Sequence, residues 1–119
     1  MGDKLNLGVD IGSTTIKVVL LDNKDNIIYS NYERHYADIK IKLISTLIEV
    51  NKYVNKRPIS LVVTGSGGMN VASNINVTFI QEVVAATKAI RTYYPQTDVA
   101  IELGGEDAKI TYFINCVEQ

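Results

Sequence analysis

Cysteine occurs once, at position 116, in a chain of 119 residues. A single thiol excludes an internal disulfide and a multi-thiolate metal site within the chain. Proline occurs twice and glycine eight times, which excludes Pro-rich, collagen-like and low-complexity architectures. Neither sign of charge predominates: 12 Lys and Arg stand against 13 Asp and Glu, a net charge of −1. That balance offers no electrostatic footprint for nucleic acid or for an anionic membrane. Tryptophan is absent, and the seven tyrosines are scattered rather than set among basic clusters, a pattern of packing rather than base stacking. The longest apolar runs, Val18–Leu21 and Val83–Ala86, are four residues each, far short of a bilayer span. No charged-then-apolar leader is present, so the expected compartment is the cytoplasm. What remains is 46% apolar and 21% charged, the mix of an ordinary soluble protein with room for one modest domain.

The residue pattern predicts an α/β protein with a mixed sheet, in the order βββαβ(α)βαββ. Leu5 to Ile11 and Thr15 to Leu21 read as strands flanking Gly12-Ser13-Thr14. Both faces of the second are mostly apolar, which places it inside the sheet. Asp22 to Asn26 is a turn by composition, and Ile27 to Tyr36 a third, Tyr-rich strand that includes His35. Asp38 is an expected helix N-cap. Ile39, Leu43 and Leu47, with Ile44 and Ile48, then recur at helical spacing until Pro58. Ile59 to Thr64 is a short buried strand broken by Gly65-Ser66-Gly67-Gly68. A short helix is expected over 69–74 and a short strand over 77–80. Glu82 to Tyr94 is a second clear helix, closed by Pro95. Strands over 99–103 and 109–113 flank Gly104-Gly105-Glu106-Asp107.

The chain repeats itself once. Val9-Asp10-Ile11-Gly12-Ser13-Thr14-Thr15-Ile16-Lys17-Val18 lies over Ile101-Glu102-Leu103-Gly104-Gly105-Glu106-Asp107-Ala108-Lys109-Ile110 at a constant offset of 92 residues. Each copy runs apolar, acidic, apolar, Gly, small, two polar, with a Lys seven places after the acid. Gly at a hairpin tip admits close approach by a ligand. Successive backbone N–H groups in such a tip form an anion-binding concavity, to which Ser13 and Thr14 add hydroxyls. An acid at the end of the first strand suits Mg²⁺, directly or through water. Lys17 suits a phosphate. Two ligand-free hairpins would need neither the acid before each Gly nor the Lys after each turn. Two such tips facing each other would hold a nucleotide's phosphates from both sides.

With these residues in view, Asp10-Ile11-Gly12-Ser13-Thr14-Thr15 and Lys17 resemble the first phosphate motif of the actin, sugar-kinase and chaperone ATPase superfamily. Glu102-Leu103-Gly104-Gly105 resembles the second. Thr64-Gly65-Ser66-Gly67-Gly68, Gln81-Glu82-Val83-Val84-Ala85 and Ile101 through Lys109 resemble the activator ATPases of 2-hydroxyacyl-CoA dehydratases and benzoyl-CoA reductases, the CoA-substrate-specific enzyme activases. The resemblance implies two ribonuclease H-like lobes with ATP between them. It assigns 1–80 to the first lobe, 81–95 to a connector helix and 96–119 to the opening hairpin of a truncated second lobe. It gives Asp10 and Glu102 to Mg²⁺, with Asp10 and Glu82 catalytic. It gives Gly12, Ser13, Thr14 and Lys17 to the β- and γ-phosphates, and Gly104, Gly105 and Asp107 to the opposing clamp. Glu102 departs from the Asp usual in the superfamily. The family's iron–sulfur cluster is bound in a dimer by a Cys-containing motif that would follow the present residues, so Cys116 is not assigned to it. The implied partners are ATP, a CoA-thioester dehydratase or reductase component and a second copy of the chain, with no nucleic acid and no membrane. The implied task is positioning and charge neutralisation at the γ-phosphate, and the 119 residues alone are expected to bind nucleotide weakly and turn over little.

Other readings are weaker on motif grounds. No G-x-x-x-x-G-K-[ST] is present, so a P-loop is excluded. Thr64-Gly65-Ser66-Gly67-Gly68-Met69-Asn70 begins like a dinucleotide fingerprint, but Asn70 stands where its third Gly belongs. His35 has no partner visible in sequence and reads as structural. The alternative functions are an inactive actin-like scaffold or partner-binding module, or another kinase of the superfamily.

Overall fold

The computed structural model describes residues 2–104, 108–114 and 117–118. Gly105, Asp107 and Cys116 lie outside them. The chain divides into two compact units, Met1–Glu82 and Val83–Gln119.

The first unit is built on alternation. Strand β1 (Leu5–Ile11) buries Leu5, Leu7, Val9 and Ile11 on one face, and strand β2 (Thr15–Leu21) buries Ile16, Val18 and Leu20. The antiparallel register sets Leu7 opposite Leu20, Val9 opposite Val18 and Ile11 opposite Ile16, so the apolar residues of both strands share one side. Strand β3 (Ile27–Arg34) pairs with β2. Strand β4 (Ile59–Thr64) runs parallel to β1, and the short β5 (Thr78–Phe79) runs parallel to β4. The five-stranded order is β3-β2-β1-β4-β5, so β2 is interior, as its two apolar faces predict.

Helix α1 (Ile39–Val54) starts where Asp38 accepts the Ile41 N–H at 3.3 Å and ends at Asn55 in the left-handed region, φ 51°. Val50 and Val54 enter the core from this helix, with Ile39, Leu43 and Leu47 packed beside them. Ile44 and Ile48 recur at the same spacing but lie on the outer face. Tyr53 stacks on Tyr29 of β3, ring centres 4.7 Å apart. Helix α2 (Gly68–Ile75) contributes Ala72 to the same core, beside Val63 of β4. The opposite face of β1, carrying Asn6, Gly8 and Asp10, is left open, and a Cβ built on Gly8 would meet nothing within 4 Å.

Strand β3 stops two residues earlier than its composition predicts. Tyr36 and Ala37 take φ values of 52° and 62°, which ends extended structure and carries His35 out of the sheet. The turn at 22–26 follows its composition: Asp22 Oδ1 accepts the N–H groups of Lys24 and Asn26 at 2.8 and 2.9 Å.

Helix α3 (Glu82–Tyr93) begins at the last residue of the first unit. In the second unit, β6 (Val99–Leu103), β7 (Ala108–Ile114) and β8 (Val117–Glu118) form an antiparallel sheet in that order. No helix among the described residues is long and apolar enough to cross a membrane.

Candidate nucleotide-phosphate site

The two copies of the repeat are two hairpins in one register. In the first, Asp10 pairs with Lys17, Val9 with Val18 and Leu7 with Leu20. In the second, Glu102 pairs with Lys109, Ile101 with Ile110 and Val99 with Tyr112. Every one of these pairs maps onto its counterpart at the same offset of 92 residues. An acid and a lysine directly opposite one another, next to a Gly-containing tip, therefore recur as a three-dimensional unit and not only as a string.

In the first hairpin the Lys17 ammonium lies 3.7 Å from Asp10 Oδ2 and 5.2 Å from the centre of the Tyr32 ring, and both charged side chains remain well exposed. Such a pair is loosely held and open to exchange for a ligand's charges. The tip is closed by the Gly12 N–H donating to Thr15 O at 2.8 Å, and Ser13 and Thr14 are exposed. The Ser13 and Thr14 N–H groups meet no acceptor among the described residues. A Cβ on Gly12 would make only ordinary contact with Thr15 Oγ1, at 3.5 Å. The fold itself does not demand glycine there.

Two further segments, absent from the sequence-derived site, hold this hairpin. One is Gly65-Ser66-Gly67 after β4. The Gly67 N–H donates to Ile11 O at 2.8 Å, and Gly65 has φ +98°. A Cβ on Gly65 would fall on Ile11 O and come within 2.5 Å of Asp10 Oδ1. This loop thus presses on the carboxylate at the end of β1, and only glycine allows it. The other is His35, which is 4% exposed. Its Nε2 lies 3.0 Å from Gly12 O, its own N–H donates to Thr14 O at 3.0 Å, and its Nδ1 accepts the Ala37 N–H at 3.0 Å. The motif Thr64-Gly65-Ser66-Gly67-Gly68 was visible in the sequence as a resemblance. His35 gave no signal, because its partners are main-chain atoms, one of them the Gly12 carbonyl 23 residues away.

Thr64 pairs with Asp10 across the parallel β1–β4 ladder and so shares its face. Its buried hydroxyl oxygen has no hydrogen-bond partner among the described residues, an unusual state for a buried polar atom. Among the described residues no three of His, Cys, Asp and Glu gather to hold a metal ion. A single accessible carboxylate, loosely paired and on the same face as an orphaned hydroxyl, nevertheless fits Mg²⁺, which takes one or two carboxylates and completes its octahedron with water and phosphate oxygens. The chain's single cysteine does not fit an iron–sulfur cluster. Of the remaining sequence-derived residues, Glu82 opens α3, and Glu102 and Gly104 stand at the end of β6 in the second unit.

No protein-family model matches the chain. An uncharacterised protein of Methanocaldococcus jannaschii is 32% identical over 87% of this chain and 41% of its own length. Among solved structures, the activator of the 2-hydroxyisocaproyl-CoA dehydratase from Clostridium difficile, with bound ADPNP, is 26% identical, with a TM-score of 0.73 over 93% of this chain and 41% of that one. Component A of the (R)-2-hydroxyglutaryl-CoA dehydratase of Acidaminococcus fermentans is 21% identical, with a TM-score of 0.80 over 98% of this chain and 45% of that one. The chain spans less than half the length of each of these proteins. Its fold is the ribonuclease H-like fold of the actin-like ATPases, and the resemblance to the activators of 2-hydroxyacyl-CoA dehydratases, first carried by its Gly-rich segments, holds for the folded chain.

Proposed function

We propose that this chain binds Mg-ATP by its phosphates on the β1–β2 hairpin. Within a protein of the relatives' length, we read it as part of an activase that couples ATP hydrolysis to electron transfer into a CoA-thioester dehydratase or reductase. The observation that carries the reading is the duplicated hairpin register, with Asp10 opposite Lys17 and Glu102 opposite Lys109. Similarity to an activator with bound ADPNP supports the nucleotide.

In this reading the Ser13 and Thr14 N–H groups and hydroxyls receive phosphate oxygens, and Gly12 keeps the tip bare enough for close approach. Lys17 leaves Asp10 for a phosphate, its charge placed without strong competition because the ion pair is solvent-screened. Asp10, freed, would hold Mg²⁺ and its waters, with the Thr64 hydroxyl beside it on the same face. Bound Mg²⁺ supplies neutralisation of the phosphate charge. Glu82, Glu102, Gly104, Gly105 and Asp107 complete the proposed set: Glu82 would order water, Glu102 would serve Mg²⁺, and the glycines with Asp107 would form the second clamp.

Titration of the chain with Mg-ADPNP, followed by amide NMR, tests the reading. Shifts centred on 12–17 and 64–67 are expected, and Asp10→Asn should abolish their Mg²⁺ dependence while leaving the protein folded. Absence of any shift at millimolar nucleotide would leave the inactive-scaffold reading in its place.

A further inference from the structure

We propose that His35 is a positioning residue of the phosphate hairpin, a latch that aims the Ser13 N–H outward. The inference rests on the nucleotide reading above for its purpose, but not for its geometry. A backbone N–H only donates, so the Ala37 N–H at 3.0 Å fixes Nδ1 of His35 as an acceptor. In the neutral ring the proton then sits on Nε2, and Nε2–H donates to Gly12 O at 3.0 Å. The His35 main-chain N–H takes Thr14 O as well.

Two of the three tip carbonyls are thereby turned toward one buried residue. The trans peptide is planar, with its C=O and the next N–H pointing in opposite directions. Holding Gly12 O toward His35 therefore turns the Ser13 N–H away from it. Holding Thr14 O does the same to the Thr15 N–H. The imidazole thus sets the direction of a donor that the proposed site uses, without touching ligand itself. The segment that follows is bent to serve this arrangement. Tyr36 and Ala37, neither of them glycine, both sit at positive φ, a conformation that costs about 1–2 kcal/mol per residue and that brings the Ala37 N–H back onto the ring. Asp38 N–H then closes onto His35 O at 2.9 Å before α1 starts.

The test compares His35→Asn with His35→Gln in the 119-residue chain. The shorter amide of Asn can replace Nδ1 toward Ala37 but cannot reach Gly12 O; the longer amide of Gln can donate there. In H35N, backbone order parameters of Ser13 and Thr14 should fall from about 0.85 to below about 0.6. Mg-ADPNP affinity, read by NMR titration, should drop about tenfold, on the order of one hydrogen bond. H35Q should restore both, the affinity to within about threefold. Unchanged tip order in H35N, or equal behaviour of the two variants, overturns the latch. If the unaltered chain binds no nucleotide, the functional reading fails, while the order parameters still decide the latch. Should H35N not fold, the ring nitrogens of the unaltered protein decide it: a proton found on Nδ1 rather than Nε2 contradicts the proposal.

Discussion

Two glycines at this site answer to different masters. Gly65 is required by the fold: its φ is +98° and a Cβ would run into Ile11 O and the Asp10 carboxylate. Gly65→Ala should destabilise the chain by about 2 kcal/mol or more, the sum of left-handed strain and a main-chain collision, read from urea unfolding. Gly12 has room for a methyl group. Gly12→Ala should shift stability by no more than about 1 kcal/mol, in either direction, yet weaken Mg-ADPNP binding severalfold or more in the NMR titration. Equal stability losses in the two variants would contradict this division. At Asp10 the partner Lys17 is exposed and 3.7 Å away, so Asp10→Asn should cost about 1 kcal/mol at most.

At the level of elements, patterns with local causes were legible in the sequence. Strands β1, β4 and β6 begin and end where alternation and glycine placed them, and Asp38 caps α1 as its type implies. Asp38→Ala should therefore lower stability by about 1 kcal/mol, measured by the same unfolding curves. What was illegible had non-local causes. The early end of β3 follows from the left-handed pair Tyr36–Ala37, which local composition does not announce. The bracing of the hairpin by Gly67 and His35 depends on main-chain atoms that the topology brings near. The β3–α1 junction also carries a pH signature. Lys42, 2.8 Å from Glu33, together with Asn31, holds the Glu33 carboxyl below its ordinary 4.5. Because the folded value is the lower one, this contribution is complete above about pH 4.5 and is lost as pH falls through the folded value. Glu33→Gln should flatten the fall of Tm with acid in that window, and an unaltered slope would contradict the assignment.

On the scale of the whole molecule, the two units differ in how their hairpins are supported. The β1–β2 hairpin lies within a five-stranded sheet over a shared core. The β6–β7 hairpin lies with β8 in a three-stranded sheet and exposes Ile101, Leu103 and Ile110. Small sheets with little buried apolar face open easily. Native-state hydrogen exchange should accordingly find the amides of 99–103 exchanging well before those of 5–11, and equal protection would contradict it. The matched pairing of the two hairpins has one more consequence, for tolerance of insertions. Side chains alternate along a strand, so a one-residue slip in pairing exchanges the two faces. Adding or deleting a single residue between Ile11 and Ile16 would either force a bulge or send Lys17 to the opposite side from Asp10. The length of each tip thus acts as a ruler, and natural variation in this chain should change the letters of the two tips far more readily than their number.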